Sequence, residues 1–117
     1  MKLAPDNYLP LAPATLHILL SLAGEPMHGY GIVQEALRQS GGCYKLGPGT
    51  LYDNLQRLMK QRMVEEVAGP CEEGNSRRRY YRLSSIGRGV LSQEIARLKD
   101  VVHEGTMRLR SLKPGRA

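Results

Sequence analysis

Apolar residues recur at helical spacing in three consecutive segments, and each segment is bounded by residues typical of helix ends. Pro13 stands in the first turn of the first segment, and Gly24-Glu25-Pro26 ends it. The second segment runs from near His28 to Ser40-Gly41-Gly42, and Gly47-Pro48-Gly49-Thr50 opens the third. The apolar positions are Leu16, Leu19, Leu20 and Ala23, then Ile32, Val33, Ala36 and Leu37, then Leu51, Leu55, Leu58 and Met59. Three short helices with short connections predict a helix-turn-helix unit.

After the third helix the hydrophobic pattern changes from helical spacing to alternation, which is typical of strands. We expect strands at Met63–Val67 and Arg79–Leu83, joined by a turn-rich polar stretch at 69–76. Strand alternation puts Arg78, Tyr80 and Arg82 on one face and Arg77, Arg79 and Tyr81 on the other. We expect at least one of the two tyrosines to pack on the helices. A β-hairpin that directly follows a helix-turn-helix unit is a wing.

A long fourth helix is predicted after the hairpin, with Ser84 as its cap. Its apolar residues follow the spacing of a heptad seam, with Gly105 at the remaining seam position: Leu91, Ile95, Leu98, Val102 and Leu109. A chain of 117 residues builds only a small core, so this stripe needs a partner. We therefore expect the helix to form the interface of a homodimer.

The charge of the chain is consistent with a nucleic-acid partner. Lys and Arg number 17 against 11 Asp and Glu, and the net charge of +6 favours a polyanionic ligand. The excess is concentrated after Gln61, in residues 77–79, Arg82, Arg88 and the stretch 108–116.

Together, the predicted helices and strands give a mainly α fold with a small β-hairpin. We assign 9–83 to a winged helix-turn-helix DNA-binding domain, 84–112 to a C-terminal dimerisation helix and 113–117 to a disordered tail.

Other features of the composition narrow the class of protein. The amino terminus lacks the apolar stretch of a signal peptide, and the longest apolar run, near Ile18 to Leu22, is too short to span a bilayer. We therefore expect a soluble, cytoplasmic protein with no membrane partner. Cys43 and Cys71 lack a metal-binding spacing, so we expect two reduced thiols and no metal or other cofactor.

Two groups of residues are candidates for DNA contact. On the third helix, Thr50, Asp53, Asn54 and Arg57 supply donors and acceptors of the kind that read base edges in the major groove. Asp53 is the least expected member, because a carboxylate near phosphates is repelled unless it accepts from a cytosine or orients an arginine. On the hairpin, the arginines of 77–79 could reach phosphates or the minor groove. Charges at a solvated strand edge that only prevent edge-to-edge pairing are the structural alternative.

Other functions receive less support from the sequence. His28 near Tyr30 has no nucleophile or acid at a motif spacing, so a packed or capping histidine is favoured over a catalytic one and no enzyme activity is expected. The six tyrosines are scattered and form no platform for single-stranded nucleic acid. A protein-interaction module that uses the wing and the helix face without DNA is the main alternative class.

Three segments together resemble the PadR family of transcriptional regulators. They are Glu25-Pro26-Met27-His28-Gly29-Tyr30-Gly31-Ile32, then Leu46-Gly47-Pro48-Gly49-Thr50-Leu51-Tyr52, and then Arg78-Arg79-Tyr80-Tyr81-Arg82-Leu83-Ser84 with Gly87. The resemblance covers about residues 9–112 and indicates the short subgroup with a single C-terminal dimerisation helix. It implies a homodimer on a palindromic double-stranded DNA operator, usually as a repressor.

Individual roles are also implied by this resemblance. Thr50 and Tyr52 would contact backbone phosphates at the start of the recognition helix, and Tyr30 would lie on the DNA side of the head. Arg77 and Arg78 would sit in the wing. The DNA-binding set is completed by two residues beside the start of the third helix, Lys45 and Gly49.

The chain departs from the family pattern at two places. Some short members bind flat drugs between aromatic residues of the dimer helices, but residues 84–117 contain no Tyr, Phe or Trp. A small-molecule inducer therefore stays unidentified as a partner. The second departure is Gln61-Arg62-Met63, where the family often has a glycine. Arg62 either takes a positive φ, at a cost of about 1 kcal/mol, or uses a right-handed turn.

Overall fold

The computed structural model describes residues 8–69 and 79–111. Four helices and three short strands follow in the order α1 Pro13–Leu22, β1 Met27–His28, α2 Gly29–Gln39, α3 Pro48–Lys60, β2 Val64–Val67, β3 Tyr80–Leu83 and α4 Ser85–Ser111. The helices α1, α2 and α3 pack together as a head, and the sheet and the beginning of α4 complete its core. In the described part of the chain, no helix has the length and apolar character needed to cross a membrane.

The apolar residues of α1 are buried to different extents. Ile18, Leu19 and Leu22 are fully buried, whereas Leu16 and Leu20 are only half-buried at the edge of the core. They differ in burial because α1 is apolar on most of its circumference and contacts α2, α3, β3 and α4. A helix surrounded in this way has no single apolar stripe from which its core face can be deduced.

The sheet has one strand more than the predicted hairpin. The strands β2 and β3 pair antiparallel as expected, with Val64 opposite Leu83 and Val67 opposite Tyr80. The two-residue strand β1 adds to the other side of β3, which gives the order β1-β3-β2. Tyr81 is buried in the core, which confirms that a hairpin tyrosine packs on the head. The wing is therefore attached to the helices through the segment that precedes α2.

Local signals at the ends of the helices are largely confirmed. His28 is the N-cap of α2, and its Nδ1 accepts a hydrogen bond from the Gly31 N–H at 3.1 Å, so the capping role is correct. Beyond α2, Gly41 and Gly42 both have positive φ. Arg62 also has a positive φ of 63°, which selects the strained alternative for the turn after α3. Cys43 is exposed and free, and Cys71 lies outside the described residues.

The first turn of α4 is joined closely to the end of α3. Ser84 caps α4 as predicted, because its hydroxyl accepts from the Gly87 N–H at 3.0 Å. The same hydroxyl donates to the Arg62 carbonyl at 2.6 Å, and the Ser84 N–H donates to the Met63 carbonyl at 2.9 Å. A Cβ on Gly87 would lie 2.2 Å from the Met63 carbonyl oxygen. The contact between these two segments therefore requires glycine.

Farther along α4, a buried carboxylate connects the helix to the segment that precedes α1. Glu94 is only 1% exposed. Its Oε2 accepts from the Leu11 N–H at 3.0 Å, and Arg97 donates to both of its oxygens at 2.6 and 2.9 Å. The Arg97 guanidinium and the Leu11 N–H hold the pKa of Glu94 below its ordinary value of 4.5, although burial opposes them. The sequence pattern gave no indication of this residue.

Glu94 is expected to make the stability of the fold depend on acid pH. A carboxyl group whose pKa is lowered in the folded state stabilises it above the unfolded pKa, and this contribution is lost as the pH falls through the folded value. The melting temperatures of wild type and Glu94→Gln should therefore differ most at neutral pH. The difference should shrink progressively as the pH falls below about 4.5. A constant difference from pH 7 to pH 3 would contradict this assignment.

Candidate nucleic-acid interface

The amino-terminal half of α3 is presented to solvent. Gly47 is its N-cap in extended conformation, and Pro48 occupies the first turn as predicted. The buried stripe consists of Leu51, Leu55 and Leu58. Gly49, Thr50, Tyr52 and Asp53 are all exposed, as is Lys45 just before the helix. An exposed helix N-terminus carries partial positive charge and suits a phosphate group.

Two exposed tyrosines lie beside this helix start. Tyr30, in the first turn of α2, is 63% exposed, and Tyr52 of α3 is 49% exposed. A Cβ on Gly29 would lie 2.5 Å from the Tyr52 hydroxyl oxygen, so the ring of Tyr52 crosses over the start of α2. The His28 and Tyr30 rings are parallel, with centroids 6.4 Å apart. The structure therefore brings Tyr30 and Tyr52 to neighbouring positions at the amino-terminal ends of α2 and α3.

Two of the predicted base readers, Asn54 and Arg57, are hydrogen-bonded to the head, although Asn54 is half-buried and Arg57 is exposed. The hydroxyl of Thr15, a buried residue of α1, donates to Asn54 Oδ1 at 2.8 Å and accepts from Arg57 Nη2 at 3.0 Å. Arg57 Nη2 also donates to Asn54 Oδ1, while Asn54 Nδ2 donates to the Thr50 carbonyl at 2.8 Å. Both ends of the Asn54 amide are occupied within the protein. A bidentate contact to adenine would have to break these bonds.

Asp53 lies on the exposed side of α3, and no residue of the described ranges orients it. It makes no hydrogen bond or ion pair to residues 8–69 or 79–111. Gln56 and Lys60 are likewise exposed on this helix. The position of Asp53 thus leaves its side chain accessible to a ligand.

The arginines at the base of the wing are paired with acidic residues of the neighbouring strand. Arg82 Nε lies 2.9 Å from Glu65 Oε1, and Arg79 Nε lies 3.7 Å from Glu66 Oε2. Both ion pairs are exposed, so their effect on stability is small. They do offset the positive charge of this part of the hairpin. Arg77 and Arg78, the predicted DNA contacts of the wing, lie outside the described residues.

The apolar residues predicted to form the dimer seam fall into two groups. Leu91 is 5% exposed and belongs to the core of the head, so the chain itself accounts for its burial. The other four residues form what we call the α4 stripe: Ile95, Leu98, Val102 and Leu109. Val102 is 65% exposed and Leu109 is 73% exposed, and Gly105 lies between them with no atom near its Cβ position. The stripe is thus an apolar surface beyond the head.

A three-helix head, a small antiparallel sheet and an exposed third helix define a winged helix-turn-helix protein. The model of the Transcriptional regulator PadR-like family matches residues 18–93, which is more than half of the chain. The chain therefore belongs to the PadR family of transcriptional regulators, as the sequence resemblance indicated. Proteins of this family are regulators of transcription and not enzymes.

Individual relatives agree with this assignment. The chain is 33% identical over 100 residues to the transcriptional regulator Rv3488 of Mycobacterium tuberculosis, covering 80% of this chain and 82% of that protein. A PadR-like transcription factor from Bacteroides fragilis has a TM-score of 0.64 at 26% identity, covering 80% of this chain and 86% of that one. A PadR family transcription regulator from Clostridium difficile has a TM-score of 0.71 at 19% identity, covering 84% and 99%. That last likeness concerns the fold alone.

Proposed function

We propose that the protein binds double-stranded DNA in a sequence-specific manner as a homodimer, and that it represses transcription from a palindromic operator. The observation that carries the proposal is the exposed amino-terminal half of α3, with Thr50, Tyr52 and Asp53 accessible on a helix whose other side is locked into the core. A helix of this kind fits the major groove of B-DNA with its amino-terminal residues against the bases.

Each part of the surface has a distinct role in this proposal. The start of α3 and the hydroxyls of Thr50 and Tyr52 contact phosphates, while Tyr30 and Lys45 border the same strand of DNA. Arg79 and Arg82 are paired with Glu66 and Glu65, which offset their charge. The positive charge with which the hairpin attracts DNA is therefore supplied by its other arginines. Base reading then falls mainly to the exposed side of α3, where Asp53 has no partner among residues 8–69 and 79–111.

The α4 stripe supports the homodimer. Ile95, Val102 and Leu109 are exposed in the single chain and Leu98 is half-buried, which costs solvation free energy unless a partner covers them. The simplest partner is the same stripe of a second copy, because a two-fold axis pairs identical surfaces. Two heads related by such an axis would bind two half-sites of opposite orientation, which is a palindrome. No Tyr, Phe or Trp follows position 83, so a flat drug would find no sandwich of these side chains on this helix.

Selection from a random duplex library followed by fluorescence anisotropy tests the function. We expect a palindromic consensus and binding that weakens steeply with salt. A protein that neutralises about six to ten phosphates loses roughly 10³–10⁵ in affinity between 50 and 200 mM salt. A duplex that keeps one half-site serves as the control and should bind much more weakly. Absence of any enriched sequence, or affinity that does not respond to salt, would exclude the proposal and favour a protein-interaction module.

Repression requires a separate measurement, because binding alone does not show whether the protein lowers or raises transcription. Transcription in vitro from a promoter that contains the selected palindrome should decrease as the protein is added. The same promoter with a scrambled palindrome is the control and should be unaffected. Increased transcription from the intact promoter would show an activator.

A further inference from the structure

We propose that Thr15 is a positioning residue for DNA binding: its buried hydroxyl holds the Arg57 guanidinium in the orientation in which Arg57 meets a DNA phosphate. This inference rests on the proposed DNA-binding function. Thr15 itself lies in the first turn of α1, is 5% exposed and would touch no DNA. Its role would therefore be exerted entirely through α3.

The hydroxyl of Thr15 uses both of its hydrogen-bonding capacities on α3. It donates to Asn54 Oδ1 and accepts from Arg57 Nη2, at 2.8 and 3.0 Å. Asn54 cannot turn away easily, because its Nδ2 donates to the Thr50 carbonyl one turn earlier. Arg57 Nη2 donates to both neighbours, so the three side chains form a closed triangle. This arrangement restricts a long side chain that would otherwise have many rotamers.

The restricted guanidinium retains donors for a ligand. An arginine has five N–H groups, and the triangle uses the two on Nη2. The remaining three, on Nε and Nη1, have no partner among residues 8–69 and 79–111, and the residue is exposed. Its charge has no acidic neighbour within salt-bridge distance in the described chain, in contrast to Arg79 and Arg82. A charged, oriented and accessible guanidinium on this helix is suited to a phosphate.

The size of the expected effect follows from the cost of ordering a side chain on binding. Immobilising a side chain with many rotamers weakens association by about 2- to 10-fold, and Thr15 removes this cost beforehand. The contact itself would survive without Thr15. Loss of the hydroxyl should therefore lower the affinity but leave the number of neutralised phosphates, and so the salt slope, unchanged.

The experiment measures anisotropy of the tightest duplex from the random library with five forms of the full chain. These are wild type, Thr15→Val, Thr15→Ser, Arg57→Ala and the Thr15→Val/Arg57→Ala double variant. Thr15→Val should bind about 2- to 10-fold more weakly with the wild-type salt slope. Thr15→Ser keeps the hydroxyl and should bind like wild type. Arg57→Ala should lower the salt slope by about one contact, and Thr15→Val should cause no further loss in that background.

Several outcomes would overturn the role of Thr15. Wild-type affinity in folded Thr15→Val would do so, and so would an equal loss of affinity in the Arg57→Ala background, which would indicate a merely structural residue. If Thr15→Val does not fold, Arg57→Lys replaces it, since lysine keeps the charge but cannot span the triangle. Arg57→Lys should bind more weakly with an unchanged slope, and wild-type affinity would refute the inference. If no duplex binds wild type, the proposed function itself fails, and this result differs from all of those above.

Discussion

A Val102→Asp variant is expected to sediment as a monomer of 13.0 kDa and to lose operator affinity by a factor on the order of 100. Val102 is 65% exposed in the single chain, so a carboxylate there does not disturb the head. In a helix pair, however, it would be buried without a counter-charge, which strongly disfavours association. The loss of DNA affinity follows because two linked heads gain about 10²–10⁴ in avidity over separate ones.

Ala96→Asp is the matched control for this prediction. Ala96 is exposed on the same helix but lies outside the α4 stripe, so an aspartate there adds the same charge without entering the seam. We expect Ala96→Asp to remain a dimer with nearly wild-type affinity for the selected duplex. Sedimentation velocity distinguishes the two variants. A Val102→Asp protein that stays dimeric would place the dimer interface elsewhere.

The second large effect is expected at Gly87. Gly87→Ala should lower the free energy of unfolding by about 3 kcal/mol, since overpacking a tight site typically costs 1–3 kcal/mol and here the obstacle is backbone. The new Cβ would be 2.2 Å from the Met63 carbonyl oxygen and 2.7 Å from Leu83 Cδ1, so α4 has to move away from the turn that follows α3. Thermal or urea unfolding followed by circular dichroism measures this change.

Gly89→Ala, two residues farther along the same helix, provides the comparison. Its Cβ position has no atom within 4 Å, so the methyl group fits without displacement. Alanine favours a helix by about 1 kcal/mol over glycine, and the variant should therefore be as stable as wild type or more so. If the two substitutions change the free energy of unfolding equally, the close contact at Gly87 does not govern stability here, and the assignment of Gly87 is wrong.

The hydrophobic pattern was sufficient for elements that present one face to the core. The α3 stripe was predicted correctly because Leu51, Leu55 and Leu58 are buried on one side only. The strand β1 was missed because two residues, Met27 and His28, carry no periodicity, and their pairing depends on β3, which is far away in sequence. Its neighbours Glu25 and Pro26 indicated only a helix end. Local pattern cannot reveal a strand that exists solely because a partner passes beside it.

The candidate site was predicted as a helix face but not as a network. The sequence identifies Asn54 and Arg57 as polar residues on α3, and it gives no reason to place Thr15 between them, because 39 residues separate Thr15 from Asn54. The same limitation applies to Leu91, whose heptad position is compatible with either a dimer seam or the chain's own core. Only the tertiary arrangement decides between these two environments. Glu94 was missed for a related reason, since a buried acid that binds Leu11 and Arg97 resembles an ordinary surface glutamate in sequence.

The first part of α4 has a consequence for how such proteins are recombined. Val90, Leu91 and Glu94 belong to the head although they lie on the helix that leaves it. A chimera that exchanges C-terminal helices between relatives at position 84 would remove part of one core and insert another. A junction after Arg97 keeps the Glu94 ion pair within one parent and exchanges only the outer turns. The border between the head and the protruding part of α4 thus falls inside a continuous helix, where an alignment of secondary structure would not place it.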